Sequence, residues 1–333
     1  MKICRRCVLP ESFPGIIFDA EGVCQYCLNF KGGLDLDIKK KGYRAKFEAL
    51  VGRCRSSSRH DAIVSYSGGK DSTYVLSLIS RDYGLKALAV TFDNGFIPER
   101  ALMNIRAVVA ELGIEHLFVR PPFRLLKRLF AACSERPLFP LTTLTRASTV
   151  CTACMALVKF STLRLAVERK IPFLVFGWSP GQIPLASSIV KNTSAMSRLR
   201  QKAIIQPIID AAGDEIKSFF LEESHFQHAD DFPYSISPLA FLDYDEKHIR
   251  EEIGRLGWKA PAEVDPNSTN CLLNSFANTV HKEKHGFHPY VFELAKLVRE
   301  GYVKRADALV KLEEPEKPRT ILQVRRKLGL RKA

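Results

Sequence analysis

No stretch of this 333-residue chain reaches the about 18 consecutive apolar residues that a membrane-spanning helix needs, so no spanning helix is expected. The opening MKICRRCVLPESF lacks the apolar core of a secretory signal. The expectation is a cytoplasmic protein whose thiols stay reduced. Its nine cysteines are then metal ligands, catalytic groups or core residues rather than disulfides. Histidine is scarce, at eight residues, and no Ser-His-Asp set can be singled out. Low-complexity tracts are absent, as are internal repeats other than pairs of cysteines. Acidic side chains are in deficit: 36 Asp and Glu against 50 Lys and Arg leave a formal charge of +14. That balance favours a polyanionic partner such as RNA, a nucleotide or a phosphorylated sugar.

What is present is globular in composition. Hydrophobic residues at 46% and charged residues at 26% exclude a disordered or collagen-like chain and supply a core. The length corresponds to one large domain or two smaller ones. Residues 1–34 carry little helical pattern and are rich in Cys, Pro and Gly, which reads as a small module of its own. Residues 35–58 look like a charged helical connector leading into a domain that extends to about residue 235. Strands are predicted over 61–67, 86–92, 116–120 and 172–177. Helices are predicted over 70–81, 99–112, 123–134 and 154–170. Strands alternating with helices argue for an α/β fold, a doubly wound parallel sheet covered on both faces. In such sheets ligands sit at the carboxyl ends of the strands. From 236 to 333 the pattern is helical, with helices predicted over 244–256, 271–283, 289–300 and 304–313. The end is basic: residues 317–333 hold seven Lys or Arg and no acid. It reads either as a solvated helix face or as a contact for RNA or an acidic partner.

Ser67-Gly68-Gly69-Lys70-Asp71-Ser72 lies between an apolar strand and a helix. Two glycines permit close backbone approach to a ligand. N–H groups opening the following helix point at an anion, and the helix dipole supports negative charge there. Ser67 and Ser72 add hydroxyl donors and Lys70 a cation. The P-loop of kinases and GTPases would need Gly at 64 and Ser or Thr at 71, where Val64 and Asp71 stand. The next strand ends in Thr91-Phe92-Asp93-Asn94-Gly95, an Asn-Gly turn on its plainest reading.

Cys4-x2-Cys7 and Cys24-x2-Cys27, sixteen residues apart, read as a four-thiolate tetrahedral Zn site. Such a site explains how a module this small could fold. A third pair, Cys151 and Cys154, opens the helix predicted over 154–170, and Cys271 opens a later one. Three thiolates at element termini could hold a 4Fe–4S cluster with one open iron. A second zinc, a persulfide or disulfide pair, and unrelated thiols are the alternatives. Cys54 and Cys133 read as packing residues. Lys159, Arg164, Arg198, Arg200 and Lys202 could neutralise a phosphate or sugar carboxylate, or stand solvated. Trp178 and Gln182 follow a strand end and so could line a site. His281, His285 and His288 fall at spacings of four and three, but the charged residues between them suggest an exposed helix end.

The hexapeptide resembles the SGGxDS loop of the PP-loop pyrophosphatases, the adenine nucleotide α-hydrolases, at every fixed position. That resemblance implies cleavage of ATP to AMP and pyrophosphate. It implies a catalytic role for Ser67 to Ser72, with Asp71 helping to hold Mg²⁺, and an ATP site that includes Ser65, Phe92, Asp93 and Gly177. The start CRRCVLPESFPGIIFDAEGVCQYC is similar to the opening of one PP-loop subfamily, the N-acetyl sugar amidotransferases of surface-polysaccharide synthesis. The stretches 241–258 and 298–312 are similar to that subfamily's C-terminal region. The resemblance implies a small sugar acceptor whose C=O is activated by ATP and attacked by ammonia. A separate glutaminase subunit would supply the ammonia, since no part of the chain looks like a glutaminase. Cys151, Cys154 and Cys271, with the basic tail, resemble instead the iron–sulfur tRNA-thiolation enzymes of the superfamily, which implies sulfide as the nucleophile and tRNA as a partner. The segment 265–288 is unlike the sugar enzymes. A non-catalytic ATP-binding protein is a further alternative, against which the intact Asp71 and loop serines stand. An oligomer is compatible with all three.

Overall fold

The computed structural model describes residues 2–53, 59–265 and 267–330. Cys54 lies outside them. A short helix α1 (Gln25–Leu28) and a long one, α2 (Leu34–Arg53), precede the sheet. The chain then runs through β1 (Ala62–Ser65), α3 (Lys70–Ser77), β2 (Ala87–Phe92), α4 (Glu99–Leu112), β3 (Glu115–Val119), α5 (Phe123–Glu135), α6 (Leu141–Leu144), α7 (Thr149–Glu168) and β4 (Phe173–Phe176). It continues with β5 (Ile189–Lys191), α8 (Ser194–Ala212), α9 (Glu223–Gln227) and β6 (Tyr234–Ile236). Five helices close it: α10 (Glu246–Arg255), α11 (Leu273–His285), α12 (Val291–Arg299), α13 (Arg305–Glu313) and α14 (Pro318–Leu328).

The six strands form one sheet in the order β3-β2-β1-β4-β6-β5. All neighbours are parallel except β5, which pairs antiparallel with β6 at the edge. Strand residues alternate between two cores, as a period of two requires. Ile63, Leu88, Val90 and Leu174 face one side, and Ala62, Val64, Ala89, Phe173 and Val175 the other. The sheet is therefore doubly wound, and because both faces are covered its central strands are apolar throughout. Strand order reverses direction at β1, which pairs with β2 on one side and β4 on the other. A crevice opens outside the carboxyl ends at such a switch point, and the Ser67–Ser72 loop leaves β1 there.

Helix α7 begins at Thr149, five residues before the predicted start, because the Ser148 side chain caps it by accepting from the Cys151 N–H. Cys151 and Cys154 thus lie within its first turns rather than ahead of them. It is the one helix among the described residues long and apolar enough to cross a bilayer; 61% of its apolar window is buried inside the protein.

A third core joins the chain's two ends. Val8, Leu9, Phe13 and Val23 of the cysteine module pack with Phe287, Val291, Leu294, Leu297 and Ala308. Arg305 donates to the carbonyls of Cys4 and Cys7. Pro318–Leu328 of the basic tail form helix α14, whose Val324 and Leu328 are buried in the main core while Arg319, Arg326 and Lys327 remain exposed. Cys133 is likewise buried in that core.

Candidate functional site

The loop after β1 is held shut by its own hydroxyls and by segments far along the chain. Ser67 and Ser72 share a hydroxyl–hydroxyl hydrogen bond of 3.0 Å, and Thr73 Oγ1 donates to the Gly69 carbonyl at 2.8 Å. Trp258 Nε1 donates to the Gly68 carbonyl at 3.0 Å, and the Lys70 N–H donates to Thr269 Oγ1 at 2.9 Å. Gly68 sits at φ +74°, and a Cβ there would lie 2.7 Å from Ile105. Gly177 ends β4 directly against the loop. A Cβ on it would lie 2.6 Å from the Ser72 backbone nitrogen, closer than real Cβ atoms come. Its place in the site is therefore to let the end of β4 approach the first turn of α3. Ser65 is the last residue of β1, paired in register with Val90 and Phe176.

Lys70 is buried among acids. Its Nζ lies 2.6 Å from Asp71 Oδ1 and 3.0 Å from the Tyr244 hydroxyl, which donates in turn to Asp71 Oδ1 at 3.3 Å. Burial and the neighbouring Asp71, Glu246 and Glu293 push the Tyr244 phenol far up, so it stays protonated. Burial would also raise the Glu246 carboxyl, but Lys70, Lys311 and Arg250 pull it down to about 2. Glu293 has no such pairing. Burial pushes it up to about 7, with the Ser179 hydroxyl donating to it at 2.7 Å and the charge of Asp71 adding to the rise. Tyr244, Trp258 and Glu293 were not singled out by the sequence. They lie more than 170 residues from the loop, and although Tyr244 and Trp258 fall in the stretch 241–258, nothing in it marks them individually as site residues.

At the end of β2, Phe92 is in the core beside Phe219. Asp93 is already engaged: Oδ1 accepts from the Gly95 N–H at 2.9 Å and Oδ2 from Arg120 Nε at 2.8 Å. The residue that reaches inward is Asn94, held in the turn by the Phe96 N–H on its Oδ1. Its Nδ2 donates to Cys154 Sγ at 3.6 Å and to Cys271 Sγ at 3.4 Å. The two sulfurs are therefore at most 7.0 Å apart, the two contacts laid end to end. Asn274 Nδ2 lies 3.7 Å from Cys151 Sγ, and the charge of Cys271 reaches both members of the pair. So Cys271, 117 positions beyond Cys154 in the sequence, converges on the pair. What brings it there is the bond from the Leu272 N–H to the Phe96 carbonyl, 2.9 Å. The residue before it, Asn270, lies over Gly69, so the thiols adjoin the loop. Burial, and after it the neighbouring thiols, pushes Cys151 up to about 12 and raises Cys154 too; burial also raises Cys271. Ligation by these sulfurs must therefore displace protons, as thiolate ligation does generally.

The N-terminal four are tighter. Cys4 Sγ lies 3.9 Å from Cys27 Sγ, Cys7 Sγ lies 3.7 Å from Cys24 Sγ, and all four sulfurs fall within 4.8 Å of one another. Four sulfurs at about 2.3 Å from one tetrahedral ion stand about 3.8 Å apart, so the donor set fits a single closed metal site. Burial raises the Cys4 thiol, but the N–H groups of Cys7 and Cys24 bring it down to about 7, while burial pushes Cys7 up to about 12.

Beyond Gly177 lies a cavity of about 870 Å³ between α7, α8 and the segment after β4. Lys159, Arg200, Trp178 and Gln182 line it, as do Cys151 and Glu293. Arg164 and Arg198 are elsewhere engaged, with Glu168 and Glu222 and with Glu223 respectively. The histidines depart from expectation. His281 and His288 are buried, at 2% and 8% exposure, rather than forming an exposed helix end. His288 meets Asp265 and Glu316 instead of the other histidines.

No family model matches the chain. It is 22% identical over 330 residues to an uncharacterized protein of Methanocaldococcus jannaschii, across 98% of this chain and 99% of that one. Among solved structures it is similar to the U34-tRNA thiolase NcsA from Methanococcus maripaludis with its 4Fe-4S cluster. The identity there is 20% and the TM-score 0.38, over 95% of this chain and 90% of that chain. It is also similar to NMN synthetase from Francisella tularensis, at 13% identity and a TM-score of 0.37, over 88% of this chain and 98% of that chain.

Proposed function

We propose that this chain is an enzyme that uses ATP to adenylate a C=O group of an acceptor, releasing pyrophosphate, and then replaces AMP with a sulfur nucleophile. One observation carries the reading: three thiols, two from α7 and one from the turn before α11, converge beside a glycine loop at the sheet's switch point. The acceptor oxygen attacks the α-phosphorus as the bond to the β-phosphate oxygen breaks. The nucleophile then attacks the activated carbon, and AMP leaves with the carbon–oxygen electron pair. The loop's part is positioning and charge stabilisation. The two serine hydroxyls and Lys70, which bond within the site here, would turn to the departing pyrophosphate, and Asp71 would offer a hard oxygen for Mg²⁺. Cys151, Cys154 and Cys271 would hold an iron–sulfur cluster, which when bound supplies a site for sulfide next to the activated carbon. Asn94 and Asn274 orient those sulfurs. Cys4, Cys7, Cys24 and Cys27 would hold a structural zinc.

A second reading keeps the adenylation and takes ammonia as the nucleophile. The opening segment, with its resemblance to the sugar amidotransferases, favours it. In that case a glutaminase partner supplies the ammonia.

The test is an anaerobic incubation of the iron-loaded protein with Mg·ATP, a small-molecule cell extract and either labelled sulfide or ¹⁵N-ammonium. AMP and pyrophosphate in equal amounts are expected, with the label in one product. Sulfur label supports the first reading and nitrogen label the second. Release of ADP and phosphate instead would overturn both.

A further inference from the structure

The cavity beyond Gly177 has cations that no acidic side chain among the described residues pairs with. Lys159 and Arg200 both line it, and among the described residues neither side chain makes an ion pair or a hydrogen bond. Lys159 is fixed rather than free: its Nζ lies 4.2 Å from the centre of the Trp178 ring, and that ring stacks on Phe176 at 5.0 Å. Burial, and then the charge of Arg200, push the Lys159 ammonium down to about 8. Two like charges in a confined space are unfavourable unless a partner of opposite sign arrives. Arg146 adds a third cation at the rim, held over the Phe292 ring. The one acid among the described residues of the wall, Glu293, is turned to Ser179 and is uncharged below its raised titration point. Much of the remaining wall is apolar, including Met155, Phe160 and Leu163. The volume suits a small molecule.

We propose that this cavity is the acceptor site and takes a small organic anion. Its carboxylate or phosphate is held by Lys159 and Arg200, and its carbon body lies on the apolar wall. The inference rests on the adenylation reading for the word acceptor, because the cavity's walls reach both halves of the proposed chemistry. Cys151 belongs to the thiol trio, and Glu293 on the cavity wall feels the charges of the loop's Asp71 and Lys70.

The experiment is calorimetry on the full-length protein with three ring compounds: benzoate, phenyl phosphate and neutral benzamide. Benzoate and phenyl phosphate separate carboxylate from phosphate as the preferred group, and benzamide removes the charge. Binding of at least one anion and none of benzamide is expected. Lys159→Met and Arg200→Gln should each weaken it by about tenfold or more, the scale of a lost charge-assisted hydrogen bond. Lys159→Arg, which keeps the charge, should restore most of it. Mg·ATP should bind wild type and variants alike and should not displace the anion. Equal binding of benzamide, unchanged affinity in the double variant, no binding of either anion, or binding of an RNA oligonucleotide while both anions fail would each overturn the proposal. Loss of ATP affinity in the variants would overturn it too, by assigning the cations to the triphosphate. Absence of Mg·ATP binding in the wild type would instead strike the adenylation reading and leave the anion site standing.

Discussion

Gly177 and Glu293 show how much of the site rests on single residues with no chemistry of their own in view. A methyl group on Gly177 would stand 2.6 Å from the Ser72 backbone, and no rotamer change can relieve a contact with backbone. Gly177→Ala should therefore cost about 1–3 kcal/mol, as overpacking does, and should weaken Mg·ATP binding by moving the loop. A variant with wild-type melting temperature and ATP affinity would contradict that placement. Glu293 makes a prediction about pH. Its folded-state pKa is raised to about 7 by burial, above the value of about 4.3 for the unfolded chain. The stability tied to its proton is then fully present below about pH 4.3 and is lost as pH rises through about 7. Glu293→Gln keeps an acceptor for Ser179 and carries no charge. Relative to wild type it should gain stability at pH 8 compared with pH 4, by up to about 4 kcal/mol. Urea unfolding of both proteins at the two pH values measures this, and a difference independent of pH would show that Glu293 ionises freely.

Elements with a local signature were legible in the sequence. The loop, the paired cysteines, strands β1 to β4 and helices α3, α4 and α5 needed only period and spacing, and α4 falls on its predicted bounds. The region between β4 and α10 was not legible. β5 and β6 have three residues each, too few to show alternation, and α8 carries Pro207 within it. The start of α7 was missed although its signal was present, a serine at 148 placed to cap. The thiol trio was half legible: its members were visible as residue types, whereas Asn94 and Asn274, which orient them, read as turn and helix residues. The cysteine module makes the prediction at this scale. Structural zinc contributes about 10–16 kcal/mol in small peptides, comparable to the whole stability of a domain. Cys24→Ser should remove one zinc per chain. Because the module shares a core with α12 and α13, those helices should become susceptible to proteolysis with it. Unchanged zinc content, or helices as protected as before, would contradict the shared-core account.

At the scale of the whole molecule, three cores hold the described residues together. Both faces of the sheet fix the switch point, and the third core ties the chain's beginning to its end. From that frame the segment 268–274 reaches back across the loop, with Thr269 on the Lys70 N–H, Asn270 over Gly69 and Cys271 at the thiols. The loop and the thiols thus form one continuous site, and occupancy at the loop should be felt along that segment. Amide hydrogen exchange with and without Mg·ATP tests this directly and needs no acceptor. Slowed exchange at residues 66–73 together with 268–274, abolished in Gly177→Ala, is the predicted result. Protection confined to other parts of the sheet, or no change in either segment under saturating nucleotide, would contradict it.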